Sequence, residues 1–466
     1  MALKDILSNL PEVKGPTQRR LPFNEKLKWT LIILIAFYIL STIPLWGLGQ
    51  NSLLQFEYLS IILGAKFGSL MSLGIGPIVT ASIVLQLLKG SGILKLDTNT
   101  HDGRVFFQGL QKVLAIFFIV FEALIYVFMG GLAPSGALSP SMFRTVEFIL
   151  IGQLIIGGLT VLFMDEVINK WGFGSGISLF IAAGVSAEIM VRAFSPLTTA
   201  GTWAFGSSQA PVGKVWVLFI SLLGRNPYGA ALALGAILAT IIVFVFAVYS
   251  QAMKIEIPLS FGRIRGHGIR WPLNFIYTSN IPVILVAALI ANLQLWARLM
   301  ESWGYPLLGT FTGSVPATGL VSWIYSPNLV ENVITGSFVL GDLAHALTYA
   351  LFMIGGSILF SFFWMQTAGM DAKSQAKQIM SSGLQIPGFR RDPRVLESIL
   401  KRYIFPLTIM GGALVGFLAA SADLMGALSR GTGILLAVMI IYRLYEEIAQ
   451  QHMFDMYPAL RKMMGK

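Results

Sequence analysis

Apolar residues in this chain come in blocks of whole-helix length. The stretches 31–48, 113–132, 148–164, 230–250 and 343–364 are almost free of charge. Each approaches the ~20 residues that carry a helix across the hydrocarbon of a bilayer. The pattern predicts about ten helices, near 29–48, 74–89, 109–132, 145–169, 175–193, 230–252, 274–300, 342–369, 402–421 and 432–450. The expected fold class is therefore an all-α integral membrane protein.

One apolar segment is too short to span. The run Phe56-Glu57-Tyr58-Leu59-Ser60-Ile61-Ile62-Leu63-Gly64-Ala65-Lys66-Phe67 lies between the first two helices. A helix of about a dozen residues re-enters or plugs rather than crosses. Incomplete spans are tolerated at membrane depth only inside protein or beside water, so this segment points to an internal cavity.

The chain also repeats itself weakly. The fifth helix opens Gly174-Ser175-Gly176-Ile177 and the tenth opens Gly431-Thr432-Gly433-Ile434. Pro77 interrupts the second helix and Pro282 the seventh. Helices two and five of one half thus resemble helices two and five of the other. Five helices is an odd number, so the halves are expected to sit inverted in the membrane, an arrangement known from transporters. The halves are expected at 29–194 and 229–452, after a cytoplasmic segment 1–28 and before a tail 453–466, with external insertions at 195–228 and 301–341.

Composition agrees with this reading. Hydrophobic residues make up 55% and charged residues 12% of 466, where a soluble domain is nearer a quarter charged. The net charge of +11 is unevenly spread: 26 of the 33 Lys and Arg fall on the side that holds both predicted termini, and 7 on the other. By the positive-inside rule that side is cytoplasmic. The first 28 residues do not form a cleavable signal, because the helix after them is too long for one. There is no cysteine, so no disulfide. Four scattered histidines give no His-x-x-x-His metal pair, and no phosphate loop or nucleophile elbow occurs. No catalytic centre, metal or cofactor is expected.

Three motifs resemble the SecY family of translocon channel subunits, in its archaeal and eukaryotic form. Residues Ser72-Leu73-Gly74-Ile75-Gly76-Pro77-Ile78-Val79-Thr80 look like its second-helix signature. Phe163-Met164-Asp165-Glu166-Val167-Ile168-Asn169-Lys170-Trp171-Gly172 through Phe180 resembles its helix four-to-five turn, and Ile386-Pro387-Gly388-Phe389-Arg390 its last large cytoplasmic loop. The resemblance implies two inverted five-helix halves around an hourglass pore, a lateral opening to lipid and a plug at 56–67. It implies a SecE (gamma) partner and a second, SecG or beta-type, subunit.

A channel for unfolded polypeptide must accept every side-chain type and still hold back ions. A charged filter would trap opposite charge, whereas a ring of flexible apolar side chains seals by dewetting. Ile75 and Val79 share a face of the second helix, as do Ile177 and Ile181 of the fifth. The resemblance adds Ile284 and Leu436, and it places Thr80, Glu122 and Asn280 together at the lateral gate. Polar groups inside a membrane are costly and often functional, though such contacts also serve as interhelical glue worth about 1 kcal/mol each.

The loops 253–273 and 371–402 are basic, with Arg263, Arg265, Arg390 and Arg391 set among Gly, Pro and aromatic residues. Such clusters bind polyanions by phosphate contact, and they also serve as topology charge at lipid headgroups. The resemblance favours docking of a ribosome, through its RNA, or of a cytosolic motor. The competing reading of the whole chain is a secondary transporter of a small solute with inverted repeats. That reading needs charged or ion-coordinating groups at the midplane. Only Glu122 and Glu188 are expected well inside helices, with no Lys or Arg of a helix paired to them.

Overall fold

The computed structural model describes residues 11–17, 21–51, 66–90, 93–94, 100–136, 138–198, 202–205, 209–261, 268–312, 315–381, 384–385, 392–429 and 431–456. Ten principal helices stand among them: α1 (Phe23–Thr42), α2 (Gly76–Gly90), α3 (His101–Phe128), α4 (Pro140–Trp171), α5 (Gly176–Phe194), α7 (Pro227–Ala252), α8 (Ile281–Ser302), α11 (Leu340–Thr367), α13 (Pro393–Leu424) and α14 (Gly431–Met456). A shorter helix, α6 (Lys214–Leu223), precedes α7. Seven of the described helices are long and apolar enough to cross a membrane. Large apolar side chains such as Ile35 and Ile39 of α1, Phe244 of α7 and Leu347 and Leu351 of α11 stand exposed on the outer surface, as lipid-facing residues do.

The two prolines expected to interrupt helices start them instead. Pro77 and Pro282 sit in the first turns of α2 and α8, where a missing N–H costs nothing because the first four are unpaired anyway. The seventh predicted helix accordingly begins at Ile281 instead of 274, and Ser279 ahead of it holds a positive φ of 59°. Asn226 and Thr100 accept hydrogen bonds from Gly229 and Gly103 and so cap α7 and α3. The first helix runs earlier than expected, stopping at Thr42 ahead of Pro44.

Contacts between helices repeat from one half to the other. In the first half α2 packs on α3, α3 on α4, α4 on α5, and α1 on both α4 and α5. In the second, α8 packs on α11, α11 on α13, α13 on α14, and α7 on both α13 and α14. The halves meet where α5 lies against α14 and where α2 lies against α8 and α11. Lipid offers little hydrophobic drive, so small residues that let backbones approach matter most. Gly412 and Gly416 of α13 face Ser361 and Ser357 of α11, and a Cβ at Gly412 would come within 2.5 Å of the Ser361 hydroxyl.

Regular structure also appears in the predicted loops. The basic loop 253–273 is an antiparallel hairpin, β3 (Lys254–Phe261) with β4 (Gly268–Asn274), pairing Ile257 with Trp271. From the other basic loop come α12 (Ala372–Ser381) and β7 (Leu384–Gln385), and β7 adds to the free edge of β3. Two loops far apart in sequence thus form one three-stranded sheet. On the opposite side, β1 (Leu48–Asn51) pairs with β2 (Leu132–Pro134). Insertion 195–228 holds α6, and insertion 301–341 holds the small hairpin β5 (Phe311–Thr312) and β6 (Val315–Pro316) with the short helices α9 (Leu320–Trp323) and α10 (Leu329–Thr335).

Residues 11–17 lie across the ends of α3 and α4. Glu166 accepts the amide of Val13 at 3.0 Å, and Trp171 Nε1 donates to the carbonyl of Lys14 at 2.9 Å. Lys112 bonds both Glu166 and the carbonyl of Pro11, and Lys170 bonds Glu12 and the carbonyl of Val13.

Candidate functional site

The site lies where the halves meet. A cavity of about 660 Å³ opens between them, and its walls include Val79 of α2, Ile177 of α5 and Ile284 of α8. Ile75, Ile181 and Leu436 belong to the adjoining apolar core, which also includes Val79 and Ile284, and each of the three is essentially inaccessible. Ile177 packs against the same cluster while partly exposed. Five of the six residues expected to line a constriction come from the four helices at the junction of the halves, α2, α5, α8 and α14, and the sixth, Ile75, immediately precedes α2.

The cavity's remaining wall mixes apolar residues such as Phe107, Leu285 and Trp364 with polar ones. Ser82, Gln86, Gln111, Asp165, Asn169 and Asn280 contribute, with Arg443 and Glu447. Gln111 Nε2 donates to Ser82 Oγ at 2.7 Å, joining α3 to α2. Arg443 and Glu447 form an i,i+4 pair at 3.3 Å, so no free ring of one sign of charge stands there among the described residues.

The expected gate cluster forms only in part. Thr80 Oγ1 lies 3.4 Å from Glu122 Oε1, linking α2 to α3, and also donates to the carbonyl of Gly76 at 2.8 Å. Asn280 is not with them. It stands just ahead of α8 without a side-chain cap bond, accepts from Ser279 Oγ through its Oδ1 at 3.0 Å, and lines the cavity instead. The group that reaches Thr80 is Asn292, about three turns along the same helix, whose Nδ2 donates to Thr80 Oγ1 at 2.9 Å. Both asparagines fall in one predicted helix. They stand 12 residues apart, about 18 Å along a helix axis, and the packing of α8 against α2 brings Asn292 to the height of Thr80. At the other end of the seam, Lys89 of α2 reaches the carbonyl of Gln366 in α11 at 3.5 Å. Tyr277, just ahead of α8, donates to the carbonyl of Met370 at 2.7 Å. Burial, with the carboxylate of Asp371 nearby, pushes its phenol above the usual range.

One expectation about carboxylates needs correction, and two further buried carboxylates were missed. Glu188 is not unpaired: Arg192, one turn on, approaches it at 2.7 Å, and Ser429 donates to it from the turn before α14. Asp165 and Asp423 are also buried, near the ends of α4 and α13. The sequence carried a signal for both, since each aspartate precedes one of the two Gly-x-Gly-Ile motifs. Phe56 through Ala65 of the short apolar segment, and Arg263, Arg265, Arg390 and Arg391, lie outside the described residues. Lys66 and Phe67 are described, and Phe67 is buried in the main core against Tyr126.

Comparison with known proteins places this architecture. The family model SecY matches residues 69–445. The chain is 47% identical over 465 residues to the protein translocase subunit SecY of Methanothermobacter thermautotrophicus, covering 99% of this chain and 98% of that one. A solved protein-conducting channel superposes with a TM-score of 0.82 at 40% identity, covering 97% of this chain and 98% of that chain. Sec61 from the canine ribosome-channel complex of the endoplasmic reticulum does so with a TM-score of 0.78, also at 40% identity and with the same coverage. With its apolar helices, paired halves and shared central cavity, the chain is a multi-pass membrane protein that belongs to the SecY family.

Proposed function

We propose that this chain is the channel-forming subunit of a protein translocase, moving secretory polypeptides across a membrane and releasing apolar segments sideways into it. The observation that carries this reading is the cavity of about 660 Å³ at the junction of the halves, whose wall at Val79 and Ile284 adjoins the apolar core that holds Ile75, Ile181 and Leu436. Ile75, Val79, Ile177, Ile181, Ile284 and Leu436 form the constriction. It dewets when empty and yields around a polypeptide of any side-chain type. The segment 56–67 plugs it from outside.

The lateral opening runs between α2 and α3 on one side and α8 on the other. Thr80, Glu122 and Asn292 hold it shut by mutual hydrogen bonds. Asn280 stands in the vestibule and meets the incoming chain. The arginines of the two basic loops, joined in one sheet, dock a ribosome. The position of the Sec61 relative in a ribosome-channel complex supports this. A SecE (gamma) subunit and a SecG or beta-type subunit complete the assembly in the cell membrane, with both termini cytoplasmic. The chain conducts and does not catalyse.

Reconstitution into vesicles tests the reading against the small-solute transporter. Entry of a signal-bearing polypeptide, without saturable uptake of small solutes, is the expected result. Solute uptake without polypeptide passage would overturn it.

A further inference from the structure

Two buried carboxylates occupy equivalent places in the two halves. Asp165, near the end of α4, accepts the amide of Ile177 in the first turn of α5 at 2.9 Å, across 12 residues of sequence. Asp423, near the end of α13, accepts the amide of Thr432 in the first turn of α14 at 2.9 Å, across 9 residues. Asp423 also accepts the hydroxyls of Thr432 and Tyr349.

The first amides of a helix lack partners within it and carry its positive end. A residue just ahead of the helix usually supplies the acceptor. Here Ser175, at that position for α5, makes no such side-chain bond. The acceptor comes instead from the preceding helix, so the bond fixes where α5 starts relative to α4 as well as how its first turn folds. The backbones are close enough that a Cβ on Gly176 would lie 2.7 Å from Asp165 Cα.

The two anchored helices pack against each other and run antiparallel. Ser429, at the start of α14, bonds Glu188 near the end of α5, and Gly174, ahead of α5, lies near Glu447 in the later part of α14. The anchors therefore hold opposite ends of one helix pair. Ile177 is itself an anchored residue, Ile181 follows one turn on, and Leu436 follows Thr432 by one turn.

We propose that Asp165 and Asp423 are paired positioning residues that hold the α5 and α14 faces of the constriction at a fixed height and separation. This inference rests on the reading of Ile177, Ile181 and Leu436 as part of that constriction.

The test uses the complete channel complex in planar bilayers. It reads closed-state ion conductance and the largest organic cation that permeates. Asp165→Ala is expected to raise the closed conductance about fivefold, the equivalent of about 1 kcal/mol for a lost cap, and to admit larger cations. Asp165→Asn keeps an acceptor oxygen and should conduct like the parent. Asp423→Asn, chosen because alanine would also strand Tyr349 and Thr432, should likewise stay closed. Ile181→Ser is the control for the constriction itself. A leak from Ile181→Ser with none from Asp165→Ala would overturn the positioning role and leave the constriction standing. Parent-like sealing by both would refute the constriction and the inference with it. If Asp165→Asn leaks as much as Asp165→Ala, charge rather than the cap is at work, and the inference is wrong.

Discussion

The carboxamide of Asn292 on α8 donates to the hydroxyl of Thr80 on α2 at 2.9 Å, across the seam between the halves. Thr80 in turn faces Glu122 on α3 at 3.4 Å. Thr80 thus links three helices through polar contacts, while the second oxygen of Glu122, Oε2, is buried without a protein partner among the described residues.

This contact predicts a threshold effect. Asn292→Leu removes a contact worth about 1 kcal/mol but adds apolar packing across the seam and leaves no carboxamide to hydrate on opening. We expect the closed seam to become more stable, so weakly hydrophobic signals fail first while strongly hydrophobic ones still pass. The measurement is insertion efficiency across a graded series of signal hydrophobicity. Asn280→Leu, placed in the vestibule, should leave the threshold where it is. An equal fractional loss for every signal in Asn292→Leu would mean the residue is merely structural.

Ribosome binding should depend on charge and salt together. Replacing Arg263, Arg265, Arg390 and Arg391 by Glu is expected to weaken binding, and to flatten its dependence on salt because fewer counterions are released per complex. Co-sedimentation at several ionic strengths reads both effects. Unchanged affinity and slope would remove these arginines from the docking surface.

The strap formed by residues 11–17 depends on Glu166, which takes the amide of Val13 at 3.0 Å and pairs with Lys112. Glu166→Ala should leave the Lys112 ammonium without its carboxylate and loosen the strap. Limited proteolysis of the purified complex is the check, with faster cleavage near residues 11–17 as the expected outcome and an unaltered digestion rate as the contrary one.

Gly176 admits no side chain without movement, since a Cβ there would lie 2.6 Å from Asp165 Oδ1 and 2.7 Å from its Cα. Gly176→Ala is therefore expected to destabilise the α4–α5 junction by about 1–3 kcal/mol, the usual range for overpacking. Thermal unfolding of the detergent-solubilised complex would record it as a lowered Tm. Gly184→Ala, where nothing lies within 4 Å of the added carbon, serves as the neutral comparison.

Much of this molecule was legible in its sequence. Helix-length apolar blocks can do little else than enter a membrane, because every backbone polar group there must be paired within its own segment. The Gly-x-Gly-Ile motifs at Gly174 and Gly431 marked the repeat, and the same helix pairs meet in both halves. The motifs around Ile75 and Ile177 named the family before any coordinates, since signature residues are a property of the chain itself. Tertiary structure alone decided which polar groups meet. The sequence reading put Asn280 beside Thr80, and only the packing of α8 against α2 shows that Asn292 is the one that reaches it. Likewise, β7 joins β3 from more than a hundred residues away, and Asp165 and Asp423 reach amides beyond a turn. Periodicity fixes which face of one helix is apolar. A hydrogen bond a few ångströms long needs the relative rotation and height of two helices, which packing between them sets.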